Sequence, residues 1–105
     1  MIFRRNRFAD VVARQLDVFA EDEADGLLTE LRDAKAVYDR ADRDEAEERY
    51  GDYMDVVDAA ADALADMRRR YAATLDEEAD AEYESAFNVA VRKRWPVLGL
   101  EIESR

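Results

Sequence analysis

Apolar residues in the middle of the chain recur at alternating steps of four and three, which is the spacing of one face of an α-helix. The series consists of Ala46, Tyr50, Tyr53, Val57, Ala60, Leu64, Met67 and Tyr71. Asp42 followed by Glu45 resembles a capping box, so the pattern predicts a helix over about 43–74. Met54, Val56, Ala61 and Ala63 widen the apolar side of this coiled-coil-like seam. A helix with so wide an apolar face is typical of a bundle, where it contacts two neighbours.

A second series of apolar residues precedes this helix, and it is interrupted once. It consists of Phe8, Val12, Leu16 and Phe19, followed after a gap by Leu27, Leu31, Ala34, Tyr38 and Ala41. The intervening position holds Glu23, close to Gly26, and glycine costs a helix interior about 1 kcal/mol. We predict one helix over about 7–41 with a bend at 22–26, and a true break there is the alternative.

The remaining third of the chain predicts a shorter helix followed by a tail. The helix spans about 77–94, begins with acidic residues and ends with basic ones, as the helix dipole favours. Pro96 is expected to stop it near Arg94. In the tail, 95–105, Leu98, Leu100 and Ile102 alternate with small or polar residues. Because a period of two is the period of a strand, the tail is predicted to be extended.

Together these elements predict an all-α fold, an antiparallel three-helix bundle with long helices 1 and 2, a shorter helix 3 and an extended C-terminal tail. The chain has 105 residues, of which 49% are hydrophobic and 41% charged, so a single helical domain over 1–105 is expected. In an up-down-up arrangement, blocks of opposite charge meet at both ends. For example, Arg68, Arg69 and Arg70 lie opposite the acidic start of helix 3.

The composition excludes several kinds of functional site. The chain has no Cys and no His and only three Gly. Disulfide frameworks, thiolate zinc sites, histidine-based triads and glycine-rich phosphate loops are therefore excluded. We expect no cofactor, and the remaining candidate chemistry uses carboxylates with a hard divalent cation.

Carboxylates do form a stripe along helix 2, made of Glu48, Asp52, Asp55, Asp62 and Asp66. The run from Glu47 to Asp52 resembles the Glu-Glu-x-Gly-Asp motif of MazG-type nucleotide pyrophosphohydrolases, with one extra residue between Glu48 and Asp52. That resemblance implies a divalent-cation-dependent phosphohydrolase with Glu45, Glu48, Asp52 and Asp55 as ligands. The heptad pattern, however, places the stripe on the water-facing side of the helix. We therefore favour a solvated face without a metal ion and keep the enzyme as the alternative.

The tail offers the best candidate interaction surface. Trp95, Leu98, Leu100 and Ile102 are too apolar to remain uncovered at a terminus. They either cover the open side of the chain's own bundle or contact another molecule, and the two arrangements are compatible.

The charge and the absence of targeting patterns restrict the partners and the location. The net charge of −11 repels nucleic acids and anionic membranes, so neither is an expected partner. Neither a signal-peptide pattern nor 18 consecutive apolar residues occur, and we expect a cytoplasmic location. The sequence favours a non-enzymatic interaction or structural module that self-associates as a homodimer, with another protein as a second kind of partner.

Overall fold

The structure is a computed structural model that describes residues 7–105, and this part of the chain is helical without any strand. Its elements are α1 (Ala9–Asp22), α2 (Leu27–Asp39), α3 (Ala46–Ala72), α4 (Glu77–Arg94) and α5 (Pro96–Ile102). The predicted all-α class is confirmed. The three-helix description is wrong, because the first helix is divided in two and the tail is itself helical.

The division between α1 and α2 lies at the glycine. The amides of Gly26 and Leu28 both donate to the carbonyl of Glu23, at 3.1 and 3.0 Å, which closes a turn. The Glu23 side chain accepts the amide of Leu27 at 3.2 Å and so supplies an acceptor at the start of α2. A carboxylate is also favourable there because of the helix dipole. The prediction of one bent helix is therefore wrong, and the alternative, a true break, is correct.

The segment predicted to be extended forms α5, with Pro96 as its first helical residue. Proline suits that position because its missing N–H would have no partner inside the helix. Leu98 and Ile102 lie one turn apart and are both fully buried, while Leu100 on the opposite side is 75% exposed. The spacing of four between Leu98 and Ile102 decided the structure, and the prediction of a strand-like tail is wrong.

A side-chain N-cap is present at the start of α4 but not at the start of α3. At α4, the side chain of Asp76 accepts the amide of Ala79 at 2.8 Å, a regular N-cap. At α3, the capping box predicted from Asp42 and Glu45 is not formed, and the helix begins at Ala46 without a side-chain cap.

The helices α1, α3, α4 and α5 surround one core. Ion pairs of 2.7 Å join Arg7 to Glu82 and Asp17 to Arg94, so α1 and α4 run in the same direction. Helix α3 runs antiparallel to α4, and α5 packs against both. The largest fully buried side chains are Val12, Leu16, Val57, Leu64, Tyr83, Phe87, Val91, Leu98 and Ile102.

The molecule is elongated because α3 is longer than the bundle around it. At about 1.5 Å per residue, the 27 residues of α3 span about 40 Å and the 18 residues of α4 about 27 Å. The first half of α3 therefore extends past α4 and is accompanied by α2. The radius of gyration is 15.9 Å, whereas a compact domain of this length has about 13 Å. We call residues 27–57, which make this extension, the arm.

Candidate functional site

The arm is a pair of helices with an apolar seam that is only partly covered. Its α3 side is well packed, since Tyr53 is 7% exposed and Val57 is fully buried. Its α2 side carries Leu28, Leu31 and Tyr38, which pack towards the core but remain half-buried. None of the residues of α2 is buried. A single helix on one side of α2 is not enough to remove its apolar side chains from water.

Aromatic and aliphatic side chains are exposed near the end of the arm. The ring of Tyr38 lies 5.3 Å from that of Tyr50 and 6.3 Å from that of Tyr53, measured between centroids. Tyr50 is 48% exposed and Val37 is 41% exposed. Large apolar groups exposed next to a half-covered seam are typical of a protein-interaction surface.

The first part of the carboxylate stripe, made of Glu48, Asp52 and Asp55, lies on the arm, while Asp62 and Asp66 lie beyond it on α3. Glu48, Asp52 and Asp55 line a shallow, solvent-open depression around Gly51, and each of the three is exposed. Arg49 lies 3.2 Å from Asp52 and 3.9 Å from Glu45, so two of the four ligands implied by the phosphohydrolase resemblance face a cation. Among residues 7–105, no group of three or more carboxylates is arranged to hold a metal ion.

The predicted interaction residues of the tail do not share one exposed surface. Trp95 is half-buried, and its ring meets that of Phe19 edge-on at 5.5 Å between centroids. Leu98 and Ile102 are buried in the chain's own core, which leaves Leu100 as the exposed member of the four. Because α5 covers its own bundle, the tail has little apolar surface left for a partner.

A second candidate site lies at the seam between α3 and α4, where the sequence predicted charge pairing but not a buried arginine. Arg68 is 6% exposed, a low value for a charged residue. Its guanidinium donates to Asn88 Oδ1 at 2.6 Å, to the carbonyl of Ile102 at 3.1 Å and to the carbonyl of Arg105 at 2.8 Å. Arg68 therefore links α3 to α4 and to the segment that follows α5.

The three consecutive arginines at this seam differ in their environment. Arg69 and Arg70 are exposed and pair with Asp66 on their own helix. Arg68 follows the core residue Leu64 by one helical turn, and this spacing was the available signal that it points inward. The predicted pairing of all three with the start of α4 is therefore wrong for Arg69 and Arg70, since their contacts are intrahelical.

Two carboxyl groups complete this cluster. Asp80 and Glu84 lie one turn apart on α4, beside a cavity of about 290 Å³ that Arg68, Arg69 and Arg105 also line. Asp80 Oδ1 is buried, and no group of the described chain donates a hydrogen bond to it. The pKa of Glu84 is raised above its ordinary value of 4.5 by a hydrogen bond with Asp80, by burial and by the charge of Asp80, while Arg68 opposes the shift.

Comparison with known proteins found no matching protein family, no similar curated protein and no similar solved structure. Among the described residues, no helix has the length and apolar character needed to cross a membrane. The interpretation of the chain's function therefore depends on the geometry of the arm and of the α3–α4 seam.

Proposed function

We propose that this chain is a non-enzymatic protein-interaction module that forms a homodimer by pairing the arms of two copies. The observation that carries the proposal is that α2 buries none of its residues. Its leucines and Tyr38 are nevertheless arranged on one face, and a helix with an apolar face needs a second neighbour to cover it.

The arm of a second copy has the geometry needed to be that neighbour. Two helical hairpins related by a two-fold axis give a four-helix arrangement, in which each copy covers the α2 side of the other. Completing the burial of a leucine or another large apolar side chain contributes up to about 1.5–3 kcal/mol, less the part already buried. Leu28, Leu31 and Tyr38 on each copy would all gain from it.

The distribution of charge favours approach through α2. Exposed Arg32 and Lys35 accompany three acidic residues on this helix, so its surface is close to neutral. The outer side of α3 carries the acidic stripe with Arg49 as its cation over 46–58. Two copies therefore repel least when their α2 sides meet, and the acidic side stays in water.

The dimer can be tested with a charge placed at the exposed end of the arm. Tyr50→Glu introduces a carboxylate at a position that is 48% exposed, so the fold of the single chain should survive. Val89→Glu is the matched control, since Val89 is a 36% exposed apolar residue on α4, outside the arm. By multi-angle light scattering, we expect the unmodified chain and V89E to be dimers and Y50E to shift towards the monomer.

Two results would contradict the proposal. One is a monomeric unmodified chain at concentrations of about 50 μM, well above the Kd of a typical stable dimer. The other is dissociation of V89E as complete as that of Y50E, which would place the interface on the bundle instead. Circular dichroism of both variants shows whether the helices are retained.

A further inference from the structure

The carboxyl pair at the α3–α4 seam has an unmet requirement for a hydrogen-bond donor. When both groups are ionised, Asp80 and Glu84 are acceptors only, so neither can donate to the other. Asp80 Oδ1 is nevertheless buried and receives no donor from the described chain. A buried acceptor without a partner destabilises the folded chain, and a charged one does so more strongly.

We propose that Asp80 and Glu84 form a proton-binding site at the α3–α4 seam, in which one proton bridges these two carboxyl groups of α4. The proton comes from solvent and adds to one carboxylate oxygen. The resulting O–H donates to an oxygen of the other carboxylate, and the charge of the pair falls from −2 to −1. This bond supplies the donor that the buried oxygen lacks.

The cations around the pair do not satisfy it. On α3, Arg68 Nε lies 3.9 Å from Glu84 Oε1, beyond hydrogen-bond distance, and its other nitrogens are committed elsewhere. Arg69 pairs with Asp66 on its own helix. Arg105, on the segment after α5, is bonded to Asp58, Asp62 and Glu101. Arg7, which precedes α1, pairs with Glu82 on the other side of α4. A proton is therefore the smallest cation that can complete the site.

The direction of the pH effect follows from the raised pKa of Glu84. The folded chain binds the proton more tightly than the unfolded chain does, in which the carboxyl titrates near 4.5. The free energy of unfolding therefore gains a contribution as the pH falls through the raised pKa, and this contribution is lost as the pH rises towards neutral. Most paired carboxylates behave in the opposite way.

Carboxyl titration by NMR tests the site in the full chain. In the unmodified chain, we expect the Glu84 carboxyl carbon to titrate above 4.5, and in Asp80→Asn to return towards that value. Glu78→Gln, at an exposed position on the first turn of the same helix, is the control and should leave the Glu84 titration in place. A Glu84 that titrates at or below 4.5 in the unmodified chain overturns the proposal, as does one that D80N does not move.

Urea unfolding gives a second, independent readout. Glu84→Gln cannot take up the proton, so its stability should lack the gain that the unmodified chain shows as the pH falls from neutral towards 4.5. Glu78→Gln should retain that gain. Equal pH responses in the unmodified chain and E84Q would overturn the proposal, even though both fold. The site is distant from the arm, so its failure would leave the proposed dimer unaffected.

Discussion

Arg68 shows how one residue can join elements that are distant in sequence. Its guanidinium binds Asn88 on α4 and two main-chain carbonyls at and beyond the end of α5. Buried arginine is suited to this role because its planar head offers five donors in a fixed geometry. The heptad pattern could place Arg68 on the apolar face of α3. It could not identify the partners, because they come from elements whose docking is set by the whole fold.

Removing these donors should destabilise the chain. Arg68→Met keeps most of the apolar stem but leaves the carbonyl of Ile102 without a donor at a buried position. We expect the free energy of unfolding to fall by about 1–3 kcal/mol, measured by urea denaturation. The matched control is Arg69→Met, where the side chain is 71% exposed and paired within its helix, and the expected change is about 0.5 kcal/mol or less. Equal effects of the two substitutions would show that Arg68 has no special structural role.

Among the helices, α3 was predicted best from the sequence, because it has the longest regular pattern of apolar residues. The alternation of fours and threes in α3 places Val57, Ala60 and Leu64 inward, and all three are fully buried. Prediction from the sequence failed in the tail, where the same residues fit both a strand and a helix. Leu98, Leu100 and Ile102 fit a period of two, but Leu98 and Ile102 also fit one helical turn. The tail is helical because a helix lets both Leu98 and Ile102 pack between α3 and α4.

The prediction of one continuous helix over 7–41 was wrong for a different reason. The steps of four continue across residues 22–26 with Glu23 at the intervening position, so the pattern predicted a bend there and left a true break as the alternative. What ends α1 is a local set of hydrogen bonds to Glu23, through both its carbonyl and its side chain. Such a bond pattern depends on geometry that hydrophobic periodicity does not describe.

Two helical glycines should respond in opposite ways to the same substitution. At Gly99, an added Cβ would lie 2.4 Å from the backbone Cα of Arg92, so α5 could not keep its position. We expect Gly99→Ala to lower the free energy of unfolding by about 1–3 kcal/mol. At Gly51, nothing lies within 4 Å of the added Cβ, and Gly51→Ala should stabilise the chain by about 0.5–1 kcal/mol.

Thermal unfolding of the two variants at the same chain concentration provides the measurement. The melting temperature should fall for G99A and rise for G51A. A neutral or stabilising G99A would mean that α5 does not pack closely on α4. A destabilising G51A would mean that the surface around Gly51 is already covered, for instance by a partner.

At the scale of the whole molecule, the shape and the charge both bear on the proposed dimer. The described part of the chain measures 56 × 28 × 22 Å, and the arm makes it longer than the bundle alone. The sequence predicted two long helices and a shorter third one, but it did not predict how much of the long pair's seam stays half-covered, because that depends on where α1 ends. The sequence did predict the wide apolar seam of α3 and the water-facing position of the carboxylate stripe.

Salt should strengthen the proposed dimer. Each copy carries a net charge of −11, so association brings like charges together, and ions screen that repulsion. Raising the NaCl concentration from about 50 mM to about 500 mM should therefore lower the dissociation constant a few-fold, measured by sedimentation velocity. Dissociation at high salt would instead indicate that ion pairs between the copies hold the dimer.

The arm is joined to the bundle by two connections, and the break between Glu23 and Gly26 makes one of them much less rigid than the other. The rigid connection is the uninterrupted α3, which sets the direction of the arm. The other is the short turn between α1 and α2, and α2 makes most of its contacts with α3. Detachment of α2 consequently costs only the contacts of one half-buried helix, and the core of the bundle remains closed. In the proposed dimer, the copies would therefore exchange by local opening of α2, without unfolding of the bundle.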